Sequence, residues 1–234
     1  MALNRVEKID DRVSVNHMLV SVSDKRGLET FIPRILAINP VVRIYSTGGT
    51  FTRLREILGP RADGCLNAVS EYTGQPETQG GLVKTLDFKI YLGLLTETYN
   101  DAHQSDLKRT GSVPIDMVVV NLYPFKETVA KAGVTPEQAR GNIDIGGPCM
   151  IRAAAKNFIR VAAVVDPGDY AAITEEMTAA SGNLSLAGRY RLARKAFAHT
   201  AAYDQAIAQY LAETGFDSVR NAYQLGSNKE RHHG

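Results

Sequence analysis

The stretch "NIDIGGPCMIRAAAKN" places an acid, a glycine turn and two cations in one short segment. The glycines permit a tight turn, and the proline suits the first position of a helix. Asp144 would then lie just outside the positive end of that helix, while Arg152 and Lys156, four residues apart, would share one of its faces. The segment is as consistent with a capped helix that carries two surface cations as with charged groups that act on one ligand.

Two further polar clusters, "SVSDK" and "STGGT", each lead from a predicted strand into a predicted helix. Backbone N–H groups at a helix N-terminus, with hydroxyls and a lysine nearby, form an anion site. One such turn alone would indicate ordinary capping by Ser23 or Thr50, but two on successive strands favour phosphate binding. Neither cluster matches the P-loop or the GxGxxG fingerprint, so ATP hydrolysis and NAD binding are poorly supported.

A fourth cluster, "VVVNLYPF", ends the most strand-like run of the chain. Asn121 and Tyr123 at the exit of a strand could hydrogen-bond to a planar ligand or stack on it. Taken alone, the cluster is better explained as a strand that stops before a proline turn.

Five mostly apolar runs alternate with helical stretches. They are "HMLVSV", "VVRIYS", "CLNAV", "DMVVVNL" and "RVAAVVD". The strongest are continuous rather than alternating, which is typical of strands covered on both faces in a parallel sheet. The sequence therefore predicts an α/β fold with a doubly wound parallel sheet, followed by a helical C-terminal extension at residues 184–213. The polar clusters would lie at the carboxyl ends of the strands, where such sheets bind ligands.

Composition narrows the class of protein. A formal net charge of +2 gives no reason to expect a nucleic-acid surface. The sequence lacks the run of about 18 apolar residues that a membrane span requires. Two cysteines in 234 residues do not make a disulfide scaffold, and the polar N-terminus lacks a signal core. We therefore expect a cytoplasmic protein of one domain, residues 1–234.

Five segments occur in the order and with the spacing of one enzyme family: "SVSDK", "GGT", "VKTL", "NLYPF", and "IDIGG" followed by "RAAAKN". On these segments the chain resembles the inosine monophosphate (IMP) cyclohydrolases, which form the N-terminal domain of the bifunctional purine-biosynthesis enzyme. The resemblance covers a core at residues 17–215. It implies a methylglyoxal-synthase-like fold, which agrees with the predicted sheet.

The resemblance also implies a reaction. In 5-formamidoimidazole-4-carboxamide ribonucleotide, the carboxamide nitrogen attacks the formyl carbon, water leaves and IMP forms, as the final step of de novo purine biosynthesis. No metal and no cofactor are needed, because orientation, a base for the amide proton and a donor for the oxyanion carry the chemistry.

The candidate catalytic and substrate-binding residues are taken from the family resemblance alone. Four match the family's catalytic positions: Lys84, Tyr123, Asp144 and Lys156. Those that match its substrate-binding positions are Ser23, Asp24, Lys25, Thr47, Gly48, Gly49, Thr50, Val83, Thr85, Asn121, Ile145 and Gly146. In our hypothesis, Asp144 takes or orients the carboxamide proton. Lys84 and Lys156 stabilise the oxyanion and deliver a proton to the departing water, and Tyr123 orders the formyl group. Asp144 and Lys156 would then converge on one reacting group.

One strip departs from the family, whose usual pattern is "GGRVKTLHP" followed by a second His and a Gly pair. Here it reads "GGLVKTLDFKIYLGLL". The replacements are Leu82 for Arg, Asp87 and Phe88 for His-Pro, and Tyr91 and Leu92 for the later His and Gly. The phosphate would be one cation short unless Lys89, Arg53 or Arg55 has taken the place of the arginine.

Two classes of function stay open. An IMP cyclohydrolase is the leading hypothesis, and a purine-nucleotide-binding regulatory module of the same fold, with reduced chemistry, is the alternative. Methylglyoxal synthase itself is weaker, because "NLYPF" and "RAAAKN" belong to the cyclohydrolases. The family's formyltransferase domain has no counterpart here, so we expect a stand-alone form supplied by a separate 5-aminoimidazole-4-carboxamide ribonucleotide (AICAR) transformylase. A homodimer is expected by analogy.

Overall fold

The computed structural model of the chain describes residues 5–75 and 84–226. The strands are β1 Arg12–Ser14, β2 His17–Val22, β3 Arg43–Ser46, β4 Leu66–Ala68, β5 Met117–Asn121, β6 Ala162–Val164 and β7 Asn183–Ser185. The helices are α1 Leu28–Ile38, α2 Gly48–Leu58, α3 Ala62–Cys65, α4 Val69–Thr73, α5 Phe88–Leu95, α6 Asp101–Thr110, α7 Phe125–Val129, α8 Pro136–Gly141, α9 Gly146–Lys156, α10 Tyr170–Ala179, α11 Leu186–Glu213 and α12 Phe216–Asn221. None of the helices within these ranges is long and apolar enough to cross a membrane.

Strands β2 to β6 form a parallel sheet in the order β4-β3-β2-β5-β6. In the central strand β2, Met18 lies opposite Ile44 of β3 on one side and Met117 of β5 on the other. The direction of winding reverses between β2 and β5, and ligands of open α/β sheets bind outside the carboxyl ends of the strands at such a switch point. The predicted doubly wound parallel sheet is confirmed.

The central strands are covered on both faces. Leu19 and Val20 are neighbours in β2 and both are fully buried, as is Val118 in β5. Because successive side chains of a strand point to opposite faces, consecutive buried residues require helices on each side of the sheet. On one side α1 packs against α10, where the rings of Phe31 and Tyr170 stack with their centroids 4.1 Å apart.

A separate antiparallel pair joins β1 to β7, with Val13 opposite Leu184. The sequence analysis predicted neither strand, and the helical extension begins at Leu186, after β7, rather than at residue 184. Beside this pair lies Arg189, only 1% exposed. Its planar guanidinium donates to backbone carbonyls of three chain segments. The accepting residues are Asp10, Asp11, Phe158, Ile159 and Leu184.

The described residues divide into two compact units. The expectation of one domain over residues 1–234 stays a prediction. The first contains the residues up to Leu122 together with Asp144–Thr200, and it holds both sheets. The second contains Tyr123–Ile143 and the residues from Ala201 onward. Within the second unit, the Phe125 ring makes edge-on contacts with two tyrosine rings, at centroid distances of 6.2 and 5.9 Å. These are the rings of Tyr203 and Tyr210.

Candidate functional site

The hydroxyl of Thr50 ties α2 to the carboxyl end of β2. It accepts a hydrogen bond from the backbone N–H of Val22 and donates one to the carbonyl of the same residue, both at 3.0 Å. Thr50 is 4% exposed, so water does not compete for these bonds. The first turn of α2 is therefore held beside the end of β2, at the edge of the sheet where ligands are expected.

The N-terminus of α2 is open to a ligand. Gly48 and Gly49 are exposed, and Thr47, the N-cap residue, makes no side-chain capping bond in the described structure. Gly48 has a φ of 53°, in the left-handed region that favours glycine. The first backbone N–H groups of a helix have no intrahelical partner, and the aligned peptide dipoles make this end positive. Since the first turn carries no acid, the helix end attracts an anion.

Lys84 adds a full positive charge at the same place. Its Nζ atom lies 3.6 Å from the point at which a Cβ atom on Gly48 would stand. Lys84 is exposed, and it forms no ion pair with any residue of the described ranges. An ammonium group and a helix N-terminus, with no described carboxylate between them, favour an anion such as a phosphate ester.

The next residue, Thr85, lies beside a second helix N-terminus. Its Oγ1 atom is 2.7 Å from the point at which a Cβ atom on Gly146 would stand, so glycine at that position leaves room for the threonine. Consecutive residues thus contact the first turns of α2 and α9. Gly48 and Gly146, which are far apart in the sequence, are thus linked within the first unit by Lys84 and Thr85.

Asp144 caps α9. Its Oδ1 atom accepts a hydrogen bond of 2.9 Å from the N–H of Gly147. A Cβ atom on Gly147 would stand 2.6 Å from Cδ2 of Leu122 and would collide with the Asp144 carboxylate, so this glycine leaves room for the acid itself. Burial raises the pKa of Asp144, and the N–H groups of Gly147 and Gly146 oppose that shift only in part. A carboxylate of raised pKa is a stronger base than an ordinary one.

Lys156 lies at the opposite end of α9 from Asp144. The helix has 11 residues, and at 1.5 Å per residue it is roughly 16 Å long. Lys156 and Arg152 are both exposed, and the Arg152 guanidinium lies over the ring of Phe197, 5.6 Å from its centroid. The hypothesis that Asp144 and Lys156 converge on one reacting group is therefore wrong within a single chain.

The segment Ser23–Lys25 connects β2 to α1, and Asn121 at the end of β5 holds it. The amide oxygen of Asn121 accepts from the N–H of Asp24 at 2.8 Å, and the amide nitrogen donates to the carbonyl of Asp24 at 2.9 Å. The Asp24 carboxylate pairs with Arg26 at 2.6 Å, which lowers the pKa of Asp24. The side chains of Asp24 and Asn121 are thus engaged, whereas Ser23 and Lys25 stay partly exposed.

For the remaining predicted site residues, the structure gives exposure or position but no contact with the site. Ile145 is 60% exposed, between Asp144 and the first turn of α9. Tyr123 is 59% exposed and belongs to the second unit, so its role stays a prediction. Val83 and the departing residue Leu82 lie outside the described residues.

Each cation that was expected to replace the missing arginine has another partner. The contacts are Lys89 Nζ with the carbonyl of Tyr72 at 3.1 Å, Arg53 with Glu56 at 3.2 Å, and Arg55 with Asp63 at 3.3 Å. Lys84 is therefore the cation that the described structure places at the α2 N-terminus.

The departing strip builds the start of a helix. Asp87 caps α5, because its carboxylate accepts from the N–H of Lys89 at 2.7 Å. An acid directly before an apolar helical run is a capping signal that the sequence analysis did not use. Tyr91, in the position of a family histidine, lies beside Cys149 of α9, and burial raises the pKa of its phenol. Where the usual pattern has histidine and proline, this chain thus has the N-cap and the first residue of α5.

Comparison with known proteins decides the family. The MGS-like domain family matches residues 28–149, more than half of the chain. The chain belongs to the MGS-like domain family. The match includes the α2 N-terminus, Lys84 and Asp144. The family described as AICARFT/IMPCHase bienzyme matches residues 154–232.

Relatives of this MGS-like chain include bifunctional purine biosynthesis proteins. The PurH protein of Acidithiobacillus ferrooxidans is 47% identical over 210 residues, which are 89% of this chain and 39% of that protein. PurH of Ruminiclostridium cellulolyticum is 44% identical over 200 residues, 86% of this chain and 37% of that protein. The chain thus spans less than two fifths of the length of these curated relatives. The crystal structure of ForH matches with a TM-score of 0.73 and 31% identity, covering 86% of this chain and 98% of ForH.

Proposed function

We propose that this protein is an IMP cyclohydrolase, which closes the ring of 5-formamidoimidazole-4-carboxamide ribonucleotide to IMP in purine biosynthesis. The observation that carries the proposal is the position of Lys84 at the open N-terminus of α2. That position fits the 5′-phosphate of a ribonucleotide. The names of the PurH relatives support a purine as the rest of the ligand.

The phosphate is bound by the first turn of α2. A phosphate monoester carries about −1.5 to −2 charge near neutral pH. The N–H groups of Gly48 and Gly49 and the ammonium of Lys84 converge on one region, and Ser23 and Lys25 lie on the adjacent strand exit. The hypothesis from the sequence assigned Lys84 to the formyl oxyanion. Its position against Gly48 favours the phosphate instead.

Ring closure depends on orientation and on one base. The carboxamide nitrogen is a poor nucleophile, so holding the formyl carbon next to it contributes most of the rate. As the C–N bond forms, Asp144 takes a proton from the carboxamide nitrogen and the formyl oxygen gains one. The former formamide nitrogen then gives up its N–H proton as the C=N bond forms, the hydroxyl takes up a proton, and its C–O bond breaks to release water. Overall, the two protons removed from the two nitrogens are the two that leave in the water. The raised pKa of Asp144 brings this base closer to the working pH.

A direct assay tests the proposal. Purified protein is mixed with the formamido substrate, and IMP formation is followed by absorbance, with the Asp144→Asn variant as the control for spontaneous closure. We expect turnover by the wild type that falls by about 10²–10⁴-fold in the variant, the usual cost of losing one general base. Equal rates for the two proteins would show that Asp144 is not the base. If the wild type gives no rate above the spontaneous background, the proposal that the protein is an enzyme is refuted.

A regulatory module that binds purine nucleotides is the second candidate, and one observation favours it. Lys156, which matches a catalytic position of the family, lies away from Asp144 in a single chain. If IMP binds while the formamido substrate is not converted, the module is the better description.

We also propose that the protein acts as a homodimer in which a second copy supplies Lys156. The proposal rests on the family resemblance together with the distance along α9. Mixing inactive Asp144→Ala and Lys156→Ala proteins tests it, because hybrid dimers would contain one intact site. Recovery of activity on mixing supports a shared site, and its absence contradicts one. A separate AICAR transformylase and a cytoplasmic location stay predictions from the sequence.

A further inference from the structure

We propose that Thr50 and Asn121 are positioning residues, which hold the Ser23–Lys25 segment in place at the phosphate site without touching the ligand. The identity of the ligand rests on the proposed function, whereas the geometry does not. Family resemblance had placed both residues among the ligand contacts.

The hydroxyl of Thr50 is occupied by the backbone. A threonine hydroxyl offers one donor, and that donor is used by the carbonyl of Val22, while the N–H of Val22 occupies one acceptor site. With 4% of the residue exposed, a ligand has little access to what remains. Thr50 is also the third residue of α2, so the same two bonds fix the open end of the helix against β2.

Asn121 holds the same segment from β5, the strand on the other side of β2. Its backbone lies opposite Val22 in the β2–β5 ladder. Its side-chain amide then bonds both the N–H and the carbonyl of Asp24, as a further backbone pair would. Both polar atoms of the amide are used. The ladder is in effect continued two residues past the end of β2.

The two contacts bracket Ser23. Val22 is held from the α2 side and Asp24 from the β5 side, so the peptide groups before and after Ser23 are both fixed. The backbone N–H of Ser23 is therefore oriented before a ligand arrives. Donors that are oriented in advance lose less entropy on binding, which raises affinity without an additional contact. The benefit should be confined to the group that this segment binds, the phosphate.

Three substitutions separate positioning from direct contact. Thr50→Val keeps the shape and removes both bonds, Thr50→Ser restores the hydroxyl, and Asn121→Ala removes both amide contacts. The matched control is Asn39→Ala. Asn39 is also partly buried, and its amide bonds two backbone groups, the carbonyl of Val15 at 2.9 Å and the N–H of Val41 at 3.3 Å. It follows α1, near the amino ends of the strands, away from the ligand edge.

The first readout is calorimetric binding of IMP and of inosine, which lacks the phosphate. We expect Thr50→Val and Asn121→Ala to weaken IMP binding by roughly tenfold, about 1.4 kcal/mol, and to leave inosine unchanged. Thr50→Ser should bind IMP as the wild type does, and Asn39→Ala should change thermal stability alone. If inosine weakens by the same factor as IMP, the two residues touch the ligand and the proposal is overturned.

The second readout does not depend on the ligand. Hydrogen exchange should show protected amides at Val22 and Asp24 in the wild type. Exchange at Val22 should accelerate in Thr50→Val and exchange at Asp24 in Asn121→Ala, without global unfolding. Unchanged protection would overturn the positioning role. A wild type that binds neither IMP nor inosine would overturn the proposed function instead, and exchange would still decide whether the segment is held.

Discussion

The Nζ atom of Lys84 lies 3.6 Å from the place that a Cβ atom on Gly48 would occupy, at the uncapped N-terminus of α2. The two residues come from different parts of the first unit, and each attracts an anion through a different property. Placed together they combine a formal charge with a helix dipole, and the first turn of α2 carries no acid to oppose them.

Replacing Lys84 by methionine should therefore weaken phosphate binding selectively. Charge-assisted hydrogen bonds contribute about 1.5–3 kcal/mol, so we expect IMP affinity to fall by about 10- to 150-fold while inosine affinity stays the same. Titration calorimetry at matched salt measures both. Lys89→Met is the control, because Lys89 is engaged by the carbonyl of Tyr72 and should not affect IMP. Normal IMP binding by Lys84→Met would place the phosphate elsewhere.

The missing arginine at position 82 offers the reverse experiment. The other candidate cations Lys89, Arg53 and Arg55 all have partners of their own. If the site is one cation short, Leu82→Arg should tighten IMP binding by a factor comparable with the loss in Lys84→Met, again without effect on inosine. Weaker or unchanged IMP binding would show that the strip is built around a different donor.

Asp144 should impose a pH dependence on turnover. A base acts when it is ionised, so turnover is lost as the pH falls through the raised pKa of Asp144. The acid limb of the kcat profile should thus lie above the ordinary aspartate value of about 3.9. Asp144→Asn keeps an acceptor for the N–H of Gly147 and removes the titration. An unchanged acid limb in the residual activity of that variant would assign the limb to another group.

The same pKa shift affects stability with a defined sign. Because the pKa of Asp144 is higher in the folded state than in the unfolded state, its contribution to the free energy of unfolding is complete below the unfolded value. That contribution is lost as the pH rises through the folded value. Urea unfolding of the wild type and Asp144→Asn across this window should show a fall in the wild type that is reduced in the variant.

Two glycines should respond oppositely to alanine. In Gly147→Ala the new methyl group would meet Leu122 at 2.6 Å and displace the Asp144 carboxylate, so overpacking should cost about 1–3 kcal/mol of unfolding free energy. For Gly49→Ala no described atom lies within 4 Å of the new group and φ is not left-handed, so stability should be equal or higher by about 0.4–1 kcal/mol. Chemical denaturation compares the two. Equal losses would contradict the geometry at Gly147.

A buried ion pair should be the most sensitive point of the first unit to substitution. Asp116 and Arg160 are 7% and 5% exposed, and their charged groups are 3.1 Å apart. Arg160→Met leaves a buried carboxylate without its cation, and we expect a loss of about 3–5 kcal/mol. In the exposed pair of Arg109 with Asp106, Arg109→Met should cost no more than about 1 kcal/mol. Similar losses of unfolding free energy in Arg160→Met and Arg109→Met would contradict the expected difference between the buried and the exposed ion pair.

The long, strongly patterned elements were predictable. The run "HMLVSV" is β2 residue for residue, and "LETFIPRILAI" is α1, because an uninterrupted buried strand and an apolar helical stripe both leave a clear period in the sequence. β1 and β7 have three residues each, which is too short for any period to show. The apolar pattern of "FTRLREIL" predicts a helix that begins at Phe51, but α2 begins at Gly48, because its first turn is fixed against β2 by Thr50.

The site was predictable in composition but not in geometry. The "STGGT" cluster lies at the carboxyl end of β3, at the edge of the sheet where the strand order predicts it. Thr85 precedes α5, and Gly146 begins α9 after the helix α8 rather than after a strand, so strand order could not predict their contact. The spacing of residues in the sequence could not show that the side chains of Thr50 and Asn121 would hydrogen-bond to the backbone. Those bonds depend on which strands become neighbours in the sheet. The match of Asp144 and Lys156 to catalytic positions of the family did not show that they lie a helix length apart in one chain.

The pairing of β1 with β7 has a consequence for the order in which the chain can fold. Residues 12–14 bond to residues 183–185, so β1 has no partner until β7 has been made. Every strand of the parallel sheet is complete by residue 164, and that sheet can assemble in the meantime. Long-range pairs form late because their loop must close first. Arg189, which donates to carbonyls of Asp10 and Asp11 before β1 and of Leu184 in β7, is made only afterwards. β1 is thus made before every strand of the parallel sheet and is ordered after them.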